Sequence, residues 1–174
     1  KANLVYEDAL DRHLSVPALR AGDNCVYAES LQQMFSDANV YEDKSGVSRV
    51  AAIRKGLKAV DACKSIEDLV QLIEQDRGRA LKFNIMPVLI QDTVEYRQPG
   101  GRLLTFDLLA GTLIKLDVFS TFAFEGVLPM DDDVIAKSTQ DKLLMLQGAH
   151  DLFVQEQISS SKPPAQRHPA ASRY

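Results

Sequence analysis

Apolar residues recur at helical spacing in three stretches of the first half of the chain, and each stretch predicts an amphipathic helix. These stretches are residues 24–40, 46–64 and 64–78. The third opens with Ser65 three residues before Asp68, an arrangement typical of a capping box at a helix N-terminus. Residues 1–24 fit either a helix or a chain that opens with a short strand, and the pattern does not decide between them.

Beyond these helices the apolar positions alternate with polar ones, which is typical of strands. Pro87 indicates an edge strand or a break in the first alternating run, because proline cannot donate to a sheet ladder. With turns at residues 99–101 and 110–112, one face of the paired strands is entirely apolar, whereas a slip of one residue mixes apolar with charged partners. The apolar pairs in this register include Tyr96 with Leu104 and Leu108 with Ile114. We therefore predict a three-stranded antiparallel meander over residues 93–120.

Three adjacent aspartates, Asp131, Asp132 and Asp133, follow a proline and open a stretch of helical period over residues 131–157. Free amides and the positive dipole end of a helix N-terminus favour carboxylates, so the cluster predicts the start of a helix. A metal site is the alternative, but neighbouring helical residues point about 100° apart, and ligands from elsewhere would have to complete it. The helix is expected to break near Gly148.

Together these patterns predict an α+β fold in which three or four helices pack on one side of a small antiparallel sheet of three to five strands. The predicted organisation is a compact α+β domain over residues 1–129, a C-terminal helical appendage over residues 130–158 and a disordered basic tail over residues 159–174. The tail holds three prolines and no large aliphatic residue, a composition that cannot form a packed core.

The composition is that of an ordinary globular chain, since 45% of the 174 residues are hydrophobic and 25% are charged. A formal net charge of −4 argues against a general basic nucleic-acid binder but not against a local basic patch. No apolar run approaches the roughly 18 residues needed to cross a bilayer, and the first residues lack the pattern of a secretory signal. We therefore expect an intracellular protein, or part of a particle assembled inside a cell, without membrane contact.

Five cations, Lys44, Arg49, Arg54, Lys55 and Lys58, lie in a stretch that holds no acid. On the second predicted helix, Arg54, Lys55 and Lys58 project opposite the apolar stripe. This basic face is compatible with three roles: a solvated surface, a contact with RNA or another nucleic acid, or a contact with an acidic protein. Aromatic side chains for base stacking are missing from it, which disfavours a reader of single-stranded bases.

The sequence contains no set of side chains that indicates an enzyme. Asp107 and Asp117 share the polar face of the predicted meander, where they form either a solvated charge ladder or the acid–base pair of a small hydrolase or transferase. Pairing of Cys25 or Cys63 with His13 as nucleophile and base has no supporting local pattern. We therefore predict a non-enzymatic binding or assembly protein without a cofactor, a metal ion or a small-molecule substrate. A nucleic-acid-binding accessory protein is the alternative.

The chain carries more apolar surface than one core requires, and the surplus predicts contact with a protein partner, most simply a homodimer. On the last predicted helix the surplus comprises Leu143, Leu144 and Val154. On the second face of the predicted meander it comprises Leu103, Leu109 and Phe119.

A compact body of about 130 residues ends near the segment FEGVLPMDDD, and about 40 residues of helix and polar tail follow it. In size and layout this resembles the minor core proteins, or assembly cofactors, of the double-stranded RNA bacteriophages (cystoviruses). The resemblance implies a dimeric virion component that assists assembly of the polymerase-containing particle and packaging of its RNA. It assigns no role to any individual residue.

Overall fold

The computed structural model describes residues 1–14, 30–37, 45–77, 81–97 and 106–160. Several sequence predictions concern parts outside the described residues: Cys25, Lys44, Leu103, the side chains of Asp107 and Leu109, and the tail from residue 161 onward. Within the described part the chain is mostly helical and contains one small antiparallel sheet. The α+β class is therefore confirmed, in a form that helices dominate.

Eight helices and two strands make up the described elements. In chain order they are α1 (Ala2–His13), α2 (Leu31–Met34), α3 (Val47–Ala62), α4 (Ile66–Arg77), β1 (Phe83–Asn84), α5 (Val88–Gln91), β2 (Glu95–Tyr96), α6 (Phe106–Phe124), α7 (Asp132–Ala136) and α8 (Thr139–Ser160). Pro87 directly precedes α5, so the chain leaves the strand conformation there, as one of the two alternatives for this residue predicted.

The first residues form helix α1, which settles the choice between helix and strand that the sequence left open. Leu4, Val5, Tyr6 and Leu10 are each at most 3% exposed, so α1 is buried on several sides and not along a single stripe. It contacts α2, α3 and α8. The hydroxyl of Tyr6 donates to the carbonyl oxygen of Pro129 at 2.8 Å, which ties α1 to the segment before α7.

The helices predicted at residues 46–64 and 64–78 are confirmed as α3 and α4, with ends that differ by at most two residues. At the start of α4 the amide of Asp68 donates to Ser65 Oγ at 3.1 Å, as the capping pattern predicted. Of the helix predicted over residues 24–40, the described residues 30–37 contain only the single turn α2.

The predicted meander over residues 93–120 is wrong. Strand β2 pairs with β1, so that Tyr96 lies opposite Phe83 and Glu95 lies opposite Asn84. The amide nitrogen Nδ2 of Asn84 donates to Glu95 Oε2 at 2.8 Å, and the rings of Phe83 and Tyr96 are 5.0 Å apart. These cross-strand contacts stabilise a sheet that is only two residues long in each strand.

Residues 106–124 form helix α6 where the sequence predicted two strands and a turn. The segment is so rich in apolar residues that both the strand period and the helix period give an apolar face. The face that turns toward the core follows helical spacing and holds Thr112, Leu116, Phe119 and Ala123. The sequence pattern predicts a turn at Gly111, but a glycine inside a helix costs only about 1 kcal/mol relative to alanine.

Two apolar clusters form the core, and α1 contributes to both. The first joins α1 to α6, α7 and α8 and includes Val5, Tyr6, Leu10, Phe119, Val134 and Leu146. The second joins Leu4 to the side chains of α2, α3, α4 and the β1 segment, including Leu31, Phe35, Ala52, Val70 and Leu81. Residues 130–158, which the sequence predicts to be a helical appendage, thus share a core with α1.

Helix α8 continues through Gly148, where the sequence predicts a break. The helical stretch is interrupted at Lys137 and Ser138 instead.

A buried carboxylate holds α2 against α1. Glu7 is 1% exposed and accepts hydrogen bonds from Ser30 Oγ at 2.6 Å, Leu31 N at 2.9 Å and Gln32 N at 3.0 Å. Two of these donors are backbone amides at the start of α2, which a helix leaves without internal partners. Glu7, a residue of α1, therefore caps the N-terminus of α2.

Lys82, next to β1, supplies the counter-charge. It is 1% exposed, forms an ion pair with Asp11 and has its Nζ 4.0 Å from Glu7 Oε1. Burial raises the pKa of Glu7 from its ordinary 4.5 to about 7, although Lys82 opposes the shift. The network links α1, α2 and the β1 segment through side chains that are at most 14% exposed.

Candidate anion-binding cleft

A cleft of about 560 Å³ lies between α1, the start of α3 and the segment that joins α7 to α8. Four cationic side chains line it, against the single carboxylate of Asp8: Arg49, Arg54, Lys137 and Lys142. Apolar side chains such as Val5, Val50 and Ile53 complete the walls. In a chain of net charge −4, this is a local excess of positive charge.

Arg49 joins three elements at the cleft. Its Nε lies 2.7 Å from Asp8 Oδ2 of α1, and its Nη1 donates to Thr139 Oγ1 of α8 at 3.2 Å. Both partners of the ion pair are largely buried, with side chains 24% and 18% exposed. The guanidinium is therefore held in one orientation, in a medium where charges interact more strongly than in water.

Lys142 is the most buried cation of the cleft, at 5% exposure. Its Nζ donates to the carbonyl oxygen of Ile135 at 3.1 Å, and an ammonium group has three hydrogens to donate. Burial lowers the pKa of Lys142 to about 8, an effect that Asp8 opposes and Arg49 strengthens. The side chain is charged at neutral pH but has lost most of its water, so an anion in the cleft would stabilise it.

The other two cations lie at the rim of the cleft. Lys137 is exposed, and Arg54 has its Nε 3.1 Å from Asp132 Oδ1 in an exposed ion pair. Exposed pairs of this kind contribute little free energy, so a ligand can take the place of the carboxylate at small cost. Both rim cations are thus available to an entering anion.

The start of α3 adds a further positive element. Gly46 occupies the N-cap position with a φ of 75°, in the left-handed region, and the first helical amide, that of Val47, donates to Ser45 Oγ at 3.3 Å. The first turn of this 16-residue helix contains no acidic residue. The positive end of the helix dipole at Gly46 and Val47, which line the cleft, therefore favours an anion there.

The basic face predicted on α3 is exposed, but carboxylates from elsewhere in the chain pair with part of it. Lys55 Nζ lies 3.2 Å from Asp37 Oδ1, as Arg54 lies beside Asp132. Lys58 is exposed and has no ion pair among the described residues. Although residues 44–60 contain no acidic residue, the fold brings acidic residues close to them. These carboxylates reduce the positive potential that the basic face exerts on a distant ligand.

The three aspartates begin α7, as predicted. Asp131 is the N-cap residue, and its Oδ1 accepts from the amide of Val134 at 2.9 Å. Asp132 and Asp133 lie in the first turn. In the part of the chain that the structure describes, no three His, Cys, Asp or Glu side chains are placed to bind a metal ion together.

Of the residues proposed for catalysis, Cys25 and the side chain of Asp107 lie outside the described residues. Asp107 and Asp117 lie on one helix, about 15 Å apart along its axis, and not on a common sheet face. Cys63 is a half-buried free thiol. The ring of His13 packs edge-on against that of His150 at 5.8 Å, where burial lowers the pKa of His13 to about 4. This contact joins the end of α1 to α8.

The residues predicted for an interface differ in their exposure. Phe119 is 2% exposed and packs edge-on against Tyr6 at 6.5 Å between ring centres, so it is a core residue and not part of an outer surface. Leu143 is half-buried against the first core cluster. Leu144 and Val154 are exposed on α8, at 56% and 36%.

Sequence reasoning missed Asp8, Lys137 and Lys142, which complete the cleft. A signal existed for Lys142, because it precedes Leu146 by four residues and Ala149 by seven, and so falls on the buried stripe of α8. Lysine is rarely buried without a specific partner, so a lysine on a buried stripe indicates a candidate functional residue. Nothing in the local sequence marks Asp8 or Lys137.

Comparison of the chain with protein-family models, with curated proteins and with solved structures gives no match. Among the helices of the described residues, none combines the length and the apolar character that a membrane span requires.

Proposed function

We propose that this chain is a non-enzymatic accessory protein that binds the phosphate groups of a nucleic acid, RNA in the first place, in the cationic cleft. The observation that carries the proposal is the convergence of Arg49, Arg54, Lys137 and Lys142 on one cleft beside a single lining carboxylate. These cations come from α3, α8 and the segment before α8, so folding and not sequence proximity brings them together.

Phosphate is the anion that this arrangement fits best. Arginine forms paired hydrogen bonds with phosphate oxygens, and the positive dipole end of α3 adds to the attraction. The lining contains no aromatic side chain on which a base could stack. Binding is therefore expected to depend on the phosphates and not on the base sequence.

Titration of a labelled single-stranded RNA oligonucleotide, followed by fluorescence anisotropy at several salt concentrations, tests the proposal. We expect binding that weakens as salt rises, because contacts with phosphates release counterions. Substitution of either rim cation, Arg54→Gln or Lys137→Gln, should weaken binding and lower the slope of log Kd against log salt by about 0.7.

Lys58→Gln is the matched control. Lys58 is an exposed cation on the same helix as Arg54, but it does not line the cleft. We expect its substitution to leave RNA binding unchanged. An equal loss with Lys58→Gln would assign binding to the whole basic face of α3, and a wild-type chain indifferent to RNA would overturn the proposal.

A role in the assembly of a particle is the wider function that we propose for such a binder. A protein that holds RNA without reading its sequence suits packaging and assembly, and the resemblance in layout to the cystoviral minor core proteins points the same way. Reconstitution of particle assembly with and without the chain would test this role, and unchanged yield and RNA content would contradict it.

Self-association is a second proposal, favoured by the exposed apolar side chains of α8. Leu144, Leu152 and Ile158 are each more than half exposed and lie within about 120° of arc on the helix. Light scattering after size-exclusion chromatography should give the mass of a dimer, and Leu144→Ser with Leu152→Ser should give a monomer. A wild-type monomer at high concentration would contradict this proposal.

A further inference from the structure

We propose that the cleft selects a terminal phosphate, the phosphate monoester at an RNA end or on a free nucleotide, over the internal phosphodiesters of a strand. This inference rests on the proposed function and specifies which phosphate the site binds.

The depth of Lys142 is the first reason. The side chain lines the cleft while only 5% of it is exposed, so only a small group that enters the cleft can reach its ammonium. An internal phosphodiester is attached to sugar on two sides, so we expect its strand to pass over the mouth of the cleft. A terminal phosphate is attached on one side only, so it can enter and present its free oxygens to Lys142.

The charge of the cleft is the second reason. Among the described residues no carboxylate forms an ion pair with Lys142: its Nζ donates to the neutral carbonyl oxygen of Ile135, and Asp8, the carboxylate that lines the cleft, is paired with Arg49. A phosphate monoester carries about −1.5 to −2 charges at neutral pH, whereas an internal phosphodiester carries one. The more highly charged group is the better match for a buried ammonium together with the rim cations Lys137 and Arg54.

The size of the cleft agrees with such a ligand. Its volume of about 560 Å³ falls within the range of roughly 300–1,000 Å³ typical of small-molecule sites. A terminal phosphate with its nucleotide therefore fits, with the phosphate near Lys142 and the start of α3 and the sugar toward the rim.

The experiment compares two RNA oligonucleotides of identical sequence, one with a 5′-phosphate and one with a 5′-hydroxyl, by anisotropy with the full chain. We expect the 5′-phosphorylated RNA to bind about tenfold more tightly, the effect of one added charge-assisted hydrogen bond. Lys142→Met should abolish the preference, and Lys58→Gln should leave it intact. Because Lys142→Met alters a buried position, its thermal melting is measured alongside, and Lys137→Gln serves as a second variant that should reduce the preference.

Competition then identifies the source of the phosphate. Displacement of the 5′-phosphorylated RNA by adenosine monophosphate or by inorganic phosphate at comparable concentrations indicates a free nucleotide, whereas poor displacement indicates an RNA end, and both results support a terminal-phosphate site. Equal binding of the two RNAs by the wild-type chain overturns the inference while the proposed function stands. Failure of both RNAs, of adenosine monophosphate and of inorganic phosphate to bind overturns both.

Discussion

Glu7 and Lys82 are an acid and a base that lie close together inside the protein, each about 1% exposed, and the contribution of each to stability depends on the other. Glu7 Oε1 and Lys82 Nζ are 4.0 Å apart, and Asp11 forms the second ion pair of Lys82. Charges in such a place are costly to leave alone, because neither water nor a mobile ion can replace a lost partner.

Substitution of Lys82 by methionine should therefore destabilise the protein by about 3–5 kcal/mol, since two carboxylates lose their buried counter-charge. Chemical denaturation measures the change. Lys55→Met is the matched control, because Lys55 pairs with Asp37 at the surface, and should cost less than about 1 kcal/mol. Equal effects of the two substitutions would show that burial of the Glu7–Lys82 pair contributes nothing.

Lys142 makes the free energy of unfolding depend on pH in the alkaline range. Its pKa is lowered from 10.5 in the unfolded chain to about 8 in the folded one, mainly by burial. Between these values the unfolded chain holds more protons, so the free energy of unfolding should rise as the pH increases from about 8 toward 10. Urea denaturation at several pH values measures this rise. We expect it to be smaller in Lys142→Met, and identical profiles for the two proteins would contradict the assignment.

Buried charges were partly predictable at the residue scale. Glu7 precedes Leu10 by three residues and Leu14 by seven, so it lies on an apolar stripe of α1, as Lys142 does on α8. A charge on such a stripe indicates a buried partner but not its identity. Lys82 is 75 positions from Glu7 in sequence, and only the assembled fold shows that they meet.

Gly56 determines how closely the helices approach one another, which is a property of elements. A Cβ atom at this position of α3 would lie 2.5 Å from Leu4 Cδ2 of α1 and 2.7 Å from Phe35 Cδ2 beside α2. Glycine is an unfavourable residue inside a helix, so its presence here is explained by the space that it leaves.

Gly56→Ala should destabilise the protein by about 1–3 kcal/mol through overpacking, despite the better helix propensity of alanine. Gly148→Ala in α8 should have the opposite sign and stabilise by up to about 1 kcal/mol, because nothing lies within 4 Å of a Cβ there. Thermal melting of both variants tests the pair. Stabilisation by both substitutions would mean that α1 and α3 do not require the close contact.

Helices were predicted correctly where polar residues separate the apolar positions. Charged residues between the apolar positions made the helical period of α3 and α4 unmistakable, and Ser65 and Asp131 marked the starts of two helices. In α6 apolar residues are so dense that a strand register satisfied them as well as a helix did. The predicted turn at residues 99–101 paired β2 with the segment after it, whereas β2 pairs with β1, which lies before it in the sequence.

At the scale of the molecule, the segment after Pro129 completes the core around α1. Val134, Ile135 and Leu146 belong to the same apolar cluster as Tyr6 and Leu10. Sequence reasoning placed a domain boundary there because the proline and the aspartates mark a helix start, and the sequence alone does not show what that helix packs against.

A chain that ends at residue 129 should therefore lose cooperative thermal unfolding and bind a dye specific for exposed apolar surface. A chain that ends at residue 160 should melt at a temperature close to that of the full protein. Calorimetry of both truncations provides the measurement. A cooperative transition in the chain of residues 1–129 would instead show that residues 130–158 are an appendage to an independent domain.

The contact between α1 and α8 has a consequence for biosynthesis. Residues 14–138 separate the two helices, and ribosomes add about 5–20 residues per second, so α1 waits several seconds after its own synthesis for the helix that covers it. During that time we expect the side chains of α1 that belong to the first core cluster to be accessible to chaperones and to the α8 of a neighbouring nascent chain. We expect folding of this largely helical protein to be slow for its class, because the contact that completes its core closes one of the longest loops in the chain.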